Sequence, residues 1–119
     1  MSTERGSLDA LEDILENMEL ARGFMGDTPT IEDLEGDSKT LYSVVRALEV
    51  VGEAAKRVPA SIRDRDPVIP WKEMAGMRDR LIHAYETVDV ELVFKTVMER
   101  IPEVEPRVRL LLERSGTGS

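Results

Sequence analysis

The sequence lacks cysteine entirely and contains one histidine among its 119 residues. Without cysteine the chain cannot form disulfides, thiolate metal sites or cysteine nucleophiles, and this composition suits a reducing compartment. A single histidine also leaves too few ligands for a transition-metal site within one chain. We therefore expect a cytoplasmic protein that uses no metal and no cofactor.

Aromatic residues and long apolar runs are scarce as well. Aromatics make up 4% of the chain, less than an antiparallel sandwich or barrel normally uses. No apolar run approaches the roughly 18 residues of a membrane-spanning helix, and residues 1–6 contain no apolar signal core. The sequence therefore predicts neither a membrane protein nor a secreted one. The 41% of hydrophobic residues suffices for one core under a surface rich in charge.

Apolar residues recur at three- and four-residue spacing in several segments, which predicts an all-α protein. Small polar residues stand before these segments, where their side chains can accept hydrogen bonds from free backbone N–H groups. The predicted N-caps are Ser7, Thr28 or Thr30, Asp37 or Ser38, and Asp89. We expect an antiparallel bundle of four to five helices, with one domain over residues 1–114 and a flexible tail over 115–119.

Five of the six prolines lie between residues 59 and 106. Three of them lie between residues 59 and 70, which predicts a loop or a short turn there. Three apolar residues could pin this loop to the core: Ile62, Val68 and Ile69. The next helix is expected to begin at Pro70 or Trp71 and to extend to about Tyr85. Pro102 and Pro106 predict a kink or a restart in the last helix.

Charge is unevenly distributed along the chain. The net charge of −8 argues against a general nucleic-acid binder. Residues 1–53 carry 13 acidic and 4 basic side chains, and residues 81–119 carry 7 and 5. Residues 54–80, which we call the basic segment, carry 4 acidic and 7 basic side chains. The basic segment is either part of an ordinary mixed surface or an anion site confined to one patch.

The only histidine, His83, follows two arginines and precedes a tyrosine at the end of the basic segment. Imidazole exchanges protons near neutral pH, and a guanidinium binds phosphate oxygens bidentately. These groups suit metal-free attack of an RNA 2′-hydroxyl on its own phosphodiester. His83 would then be the general acid or base, and Arg78 would stabilise the charge of the transition state. Alternatively, His83 is a partly buried histidine near a helix end, and the arginines are surface charges.

An uninterrupted helix through this segment would separate the two candidate groups. Arg78 and His83 would be about 140° apart around the axis, so they would not share a face. Their pairing would need a distorted helix end, long side-chain reach or a second subunit. On the same ideal helix, Arg78 and Tyr85 would lie on one face.

The segment 77–85 (MRDRLIHAY) resembles the Arg-x4-His-x-Tyr motif of the HepT-like branch of HEPN-domain proteins. The stretch 51–55 (VGEAA) is similar to that family's Gly-Glu-Ala stretch on the second long helix. The Pro-Trp start at Pro70 and the proline-bearing last helix are similar too. The resemblance covers about residues 7–113, and it implies a HEPN-like helical fold.

The resemblance implies a metal-independent endoribonuclease that is the toxin of a two-gene toxin–antitoxin system. It further implies a homodimer whose motif residues face a shared cleft, and a nucleotidyltransferase antitoxin as partner. Arg78 and His83 match the catalytic pair, and Tyr85 matches the tyrosine that receives AMP from ATP. The basic segment supplies three further candidates for RNA contacts: Arg80, Lys72 and Arg57.

Two other functions remain open at this point. A non-catalytic HEPN module could have the same fold and bind nucleotide or RNA, or only accompany a nucleotidyltransferase. A structural dimerisation bundle is the third interpretation. The presence of Arg78, His83 and Tyr85 together favours the enzyme.

Overall fold

The computed structural model describes residues 3–26, 30–82 and 87–117, and these residues form helices and no strand. The helices are α1 (Thr3–Met25), α2 (Ile31–Glu35), α3 (Ser38–Lys56), α4 (Ala60–Arg63), α5 (Trp71–Ala75), α6 (Met77–Leu81), α7 (Val90–Lys95) and α8 (Ile101–Thr117). A π-helical turn, Thr96–Arg100, joins α7 to α8 without interruption. The predicted all-α fold is confirmed. None of the helices in the described ranges is both long and apolar enough to span a membrane.

The core lies between the long helices. α1 packs along α3, and α8 also packs against α1. Asp13, in the middle of α1, contacts Arg57 at the end of α3, whereas Phe24, near the end of α1, lies near Tyr42 in the first turns of α3. α1 and α3 are therefore antiparallel. The largest fully buried side chains are aliphatic: Leu11, Ile14, Leu34, Leu48, Ile69, Leu81, Val44, Val51, Val93 and Val108.

Three of the predicted N-caps are confirmed. Their side-chain oxygens accept backbone N–H groups at 3.1 Å: Thr30 from Asp33, Asp37 from Thr40, and Asp89 from Leu92. The predicted cap at Ser7 is wrong, because α1 already begins at Thr3 and Ser7 lies inside it. Gly26 follows the end of α1 with a φ of 51°, a conformation that glycine adopts without strain. Thr28, the other candidate cap, lies outside the described residues.

The predicted helix start at Pro70 or Trp71 is confirmed, because α5 begins at Trp71, but the predicted uninterrupted extent to about Tyr85 is wrong. The chain instead forms α5 and α6, separated by Gly76, and Ile82 has extended backbone with φ −118° and ψ 116°. Extended Ile82 pairs with Val88 in an antiparallel bridge, and the Asp89 N–H donates to the Leu81 carbonyl at 2.8 Å. These contacts with a later part of the chain end α6 at Leu81.

The junction between α5 and α6 crosses α3 at Gly52. A Cβ atom on Gly52 would lie 2.8 Å from the Met74 carbonyl oxygen and 3.2 Å from the Met77 Cβ. Such a distance to a backbone oxygen is too short for any other residue without a backbone shift. Gly52 therefore allows α5 and α6 to pack directly on α3, and this packing sets the position of the residues that α6 carries.

The proline-rich link between residues 59 and 70 contains α4 and is held at both ends. Ile62 and Ile69 are buried as predicted, whereas the predicted contact of Val68 with the core is wrong because Val68 is exposed. Arg107 of α8 donates two hydrogen bonds to the Asp66 carboxylate, at 2.9 and 3.1 Å. The link is thereby fastened to the last helix.

The last helix contains two prolines and is not interrupted by either of them. Pro102 has no N–H to donate to the Met98 carbonyl, and the chain forms the π-helical turn just before it, with the Ile101 N–H donating to the Thr96 carbonyl. The helix then continues through Pro106 to Thr117. Ser115, in the segment expected to be a flexible tail, is buried and its hydroxyl accepts a hydrogen bond from Arg65 at 2.9 Å.

Candidate functional site

Arg78 is the one residue of the predicted catalytic pair that lies within the described residues. It is carried by α6, which is anchored in the core by Met77 and Leu81 on either side of it. Its Nε lies 3.4 Å from Oε2 of Glu49 on α3. The Arg78 side chain is 60% exposed and that of Glu49 is 18% exposed, so the carboxylate is enclosed and the guanidinium reaches solvent.

Arg78 and Glu49 border an open cleft of about 240 Å³. We call it the Arg78 cleft; it is lined by Tyr42, Val45, Glu49, Arg78, Ile82 and Val88. α3 forms one wall, α6 forms another, and the bridge between Ile82 and Val88 closes the end. The cleft thus brings together three segments that are distant in the sequence.

Ile82 and Val88, which flank the segment containing His83 and Tyr85 in the sequence, both line this cleft. His83 directly follows Ile82 in the sequence, and the bridged Val88 stands on the other side of the segment. Residues 83–86 lie outside the described residues, so the roles predicted for His83 and Tyr85 remain predictions. The angular relations of an uninterrupted helix do not apply to them, since α6 ends at Leu81.

Arg80 lies on a different surface from Arg78. Two residues along a helix point in different directions, and Arg80 instead approaches Glu73 of α5 at 3.5 Å. Glu73 also accepts a shorter contact from Arg100, at 2.6 Å. Arg80 lines a narrow, mainly apolar slot of about 70 Å³ rather than the Arg78 cleft.

The other two candidates for RNA contacts are not gathered at the cleft either. Arg57 pairs with Asp13 of α1 at 2.6 Å, and it lies about 12 Å beyond Glu49 along α3. Lys72 is exposed on α5 and is not among the residues that line the cleft. The described side chains of the basic segment are therefore spread over several surfaces of a single chain.

Sequence reasoning missed Glu49 and Tyr42. Both lie on the same face of α3, seven residues apart, and both flank the buried Val45. A carboxylate at the edge of a predicted apolar face was the available signal for Glu49. Its partner on α6 is 29 residues away in the sequence, and periodicity carries no information about such a contact.

The arrangement suits the binding of one phosphate group. A guanidinium has five N–H donors, and the ion pair of Arg78 with Glu49 is through Nε, so its terminal nitrogens can form a bidentate contact with a phosphate. In the described ranges, no group of three or more histidine, aspartate or glutamate residues is placed to hold a metal ion.

Comparison with known proteins identifies relatives of this chain. The family described as Ribonuclease HepT-like matches residues 11–111. The chain is 46% identical over 108 residues to "Probable ribonuclease HepT" of Thermococcus cleftensis, covering 91% of this chain and 97% of that protein. It is 42% identical over 103 residues to "Putative RNase MJ1216" of Methanocaldococcus jannaschii, covering 87% of this chain and 84% of that protein. No solved structure matches the chain. The chain therefore belongs to the HepT-like ribonuclease family.

Proposed function

We propose that this protein is a metal-independent endoribonuclease whose active site is formed by Arg78 and His83. The observation that carries the proposal is the placement of Arg78 in an open cleft whose wall residue, Ile82, directly precedes His83 in the sequence. Family membership supports RNA as the substrate.

In the proposed reaction the RNA supplies its own nucleophile. His83 accepts the proton of a 2′-hydroxyl, and the 2′-oxygen attacks the adjacent phosphorus. The bond from phosphorus to the 5′-oxygen breaks, and the departing oxygen takes up a proton. The products are a 2′,3′-cyclic phosphate and a 5′-hydroxyl. Arg78 stabilises the additional negative charge that the phosphate oxygens carry in the transition state.

We infer that the active form is a homodimer. The Arg78 cleft, at about 240 Å³, is smaller than the roughly 300 Å³ of the smallest typical ligand pockets. Exposed apolar side chains lie beside it in the groove between α1 and α3: Leu20, Phe24 and Tyr42. A two-fold contact across this surface and α6 would cover these side chains and bring two Arg78 residues into one larger, more basic cleft.

We further propose that the protein is a toxin regulated at Tyr85. A nucleotidyltransferase antitoxin would transfer AMP from ATP to the Tyr85 hydroxyl and release pyrophosphate. The phosphate of the attached AMP would compete with RNA for the Arg78 guanidinium, and the adenine would obstruct the cleft. The resemblance of the motif around Tyr85 supports this regulation.

Single substitutions test the catalytic assignment. His83→Ala and Arg78→Ala should each reduce cleavage of a labelled single-stranded RNA by about 10² to 10⁴-fold while the helical circular dichroism is unchanged. Arg109→Ala is the matched control, because it removes an arginine of similar exposure, 54% against 60%, from α8. Full cleavage by the His83→Ala variant would exclude the proposed mechanism.

A non-catalytic RNA- or nucleotide-binding module is the second candidate. This module is favoured in its nucleotide-binding form, because a nucleotide needs fewer basic contacts than an RNA strand and the basic segment is dispersed over several surfaces. It predicts that the wild-type protein binds RNA or nucleotide but leaves RNA intact over hours. The same cleavage assay, with the wild-type protein alone, distinguishes the two functions.

A further inference from the structure

We propose that Glu49 is a positioning residue for Arg78: its carboxylate holds the Nε edge of the guanidinium, so that the terminal nitrogens remain available to the RNA phosphate. The inference rests on the proposed ribonuclease function and extends it to a residue outside the Arg-x4-His-x-Tyr motif. It is carried by the contact between α3 and α6 at the Arg78 cleft.

Glu49 and Arg78 differ in how strongly their surroundings restrict the side chain. Glu49 stands on a 19-residue helix, next to the buried Leu48 and one turn after the buried Val45, and its side chain is largely enclosed. Arg78 is a long side chain on a helix of five residues, and most of it is exposed. A free arginine in this position would sample many rotamers. The enclosed carboxylate therefore restrains the exposed guanidinium rather than the reverse.

The spacing of the two helices is fixed as well. Gly52 lies three residues after Glu49, and its direct contact with Met74 and Met77 sets the separation of α3 from α6. The distance from Glu49 to Arg78 is thereby determined by backbone packing and not only by the mutual attraction of the side chains. This fixed distance is what a positioning contact requires.

The geometry of the contact leaves room for substrate. The Oε2 atom of Glu49 approaches Nε, whereas a bidentate phosphate can be bound through the two terminal nitrogens. The carboxylate also offsets part of the positive charge of Arg78 in the free enzyme. Removing that negative charge should therefore leave binding of RNA equal or tighter while the guanidinium loses its orientation. The expected signature is a fall in kcat without a rise in KM.

The kinetic experiment compares Glu49→Gln, Glu49→Asp and Asp66→Asn in the full-length chain, with a labelled single-stranded RNA of mixed sequence. Glu49→Gln should lower kcat by about 10- to 100-fold with KM unchanged or lower, and Glu49→Asp should recover part of kcat. Asp66→Asn is the matched control, because its carboxylate is similarly enclosed, 16% against 18% exposed, and also pairs with an arginine. It should leave kcat unchanged. A kcat within twofold of wild type for Glu49→Gln, or an equal loss for Asp66→Asn, would overturn the inference.

A second readout does not depend on catalysis. The Arg78 Nε–H signal in a ¹⁵N NMR spectrum can be assigned by its absence in Arg78→Lys. It should shift or broaden in Glu49→Gln and stay in place in Asp66→Asn. If wild-type protein cleaves no RNA, the ribonuclease proposal fails, and this signal still decides whether Glu49 holds Arg78. An unchanged Nε–H signal in Glu49→Gln would overturn the positioning role.

Discussion

At the residue scale, the chemistry of the site depends on what kind of cation occupies position 78. An arginine can face Glu49 with its Nε edge and a phosphate with its terminal nitrogens at the same time, because its donors point in fixed, separate directions. A lysine ammonium is a single point charge and cannot divide its contacts in this way. The proposed mechanism therefore requires the guanidinium itself and not only its positive charge.

We accordingly expect Arg78→Lys to retain little activity. The charge is preserved, so RNA binding should change little, but kcat should fall by about 10²-fold because the bidentate contact is lost. Steady-state cleavage of a labelled RNA gives kcat and KM separately. Recovery of most of the wild-type kcat by lysine would show that position 78 supplies only a diffuse electrostatic attraction.

At the element scale, the position of α6 depends on the close crossing at Gly52. A methyl group there would meet the Met74 carbonyl oxygen at 2.8 Å, so Gly52→Ala should push α5 and α6 away from α3. We expect a loss of about 1–3 kcal/mol in the free energy of unfolding, together with a lower kcat. Urea unfolding followed by the fluorescence of Trp71, the only tryptophan, measures the first quantity.

Gly23→Ala is the control for this substitution. Gly23 lies inside α1, where a Cβ would meet nothing within 4 Å. Alanine should therefore stabilise the protein by about 0.5–1 kcal/mol relative to glycine in a helix. Equal stability of the Gly52→Ala variant and the wild type would contradict the role assigned to the crossing.

The starts and ends of the helices show which features of the fold can be predicted from the sequence. The sequence predicts Asp89 as a cap, and Thr30 and Asp37 as caps with Thr28 and Ser38 as alternatives, because a cap is a local interaction between residues three apart. The end of α6 at Leu81 was not identified, because it depends on pairing of Ile82 with Val88 and not on a local breaker. Arg78 was found from its motif, whereas Glu49 required knowledge of how α3 and α6 pack.

At the scale of the whole molecule, the long link between residues 59 and 70 is held to α8 by Asp66 and Arg107. The two hydrogen bonds from Arg107 are the main cause that lowers the pKa of Asp66 below its usual 3.8. A carboxyl whose pKa is lowered by folding stabilises the protein above its unfolded pKa, and this contribution is lost as the pH falls through the lowered value.

Asp66→Asn should therefore destabilise the protein at neutral pH by on the order of 1 kcal/mol. The difference from wild type should vanish well below pH 3.8, where both proteins lack the charge. Urea unfolding of both proteins at several pH values, again followed through Trp71, measures the difference. A difference that is independent of pH would mean that the ion pair does not stabilise the link.

The proposed dimer is also a property of the whole molecule. Light scattering at micromolar concentration should give twice the chain mass of 13.4 kDa. Phe24→Glu, which places a charge in the apolar groove beside the Arg78 cleft, should weaken the dimer and lower the activity. Val68→Glu places the same charge at an exposed apolar residue outside both the groove and the cleft, and it should do neither. A strictly monomeric wild-type protein that cleaves RNA would contradict the dimer.

The chemical identity of the RNA ends distinguishes attack by the 2′-oxygen from metal-dependent hydrolysis. Wild-type protein should be incubated with a single-stranded RNA in excess EDTA, and the products analysed by mass spectrometry. We expect fragments that end in a 2′,3′-cyclic phosphate, paired with fragments that begin with a 5′-hydroxyl, because the 2′-oxygen is the nucleophile in the proposed reaction. Cleavage that stops in EDTA, or fragments that end in a 3′-hydroxyl, would contradict the metal-independent mechanism.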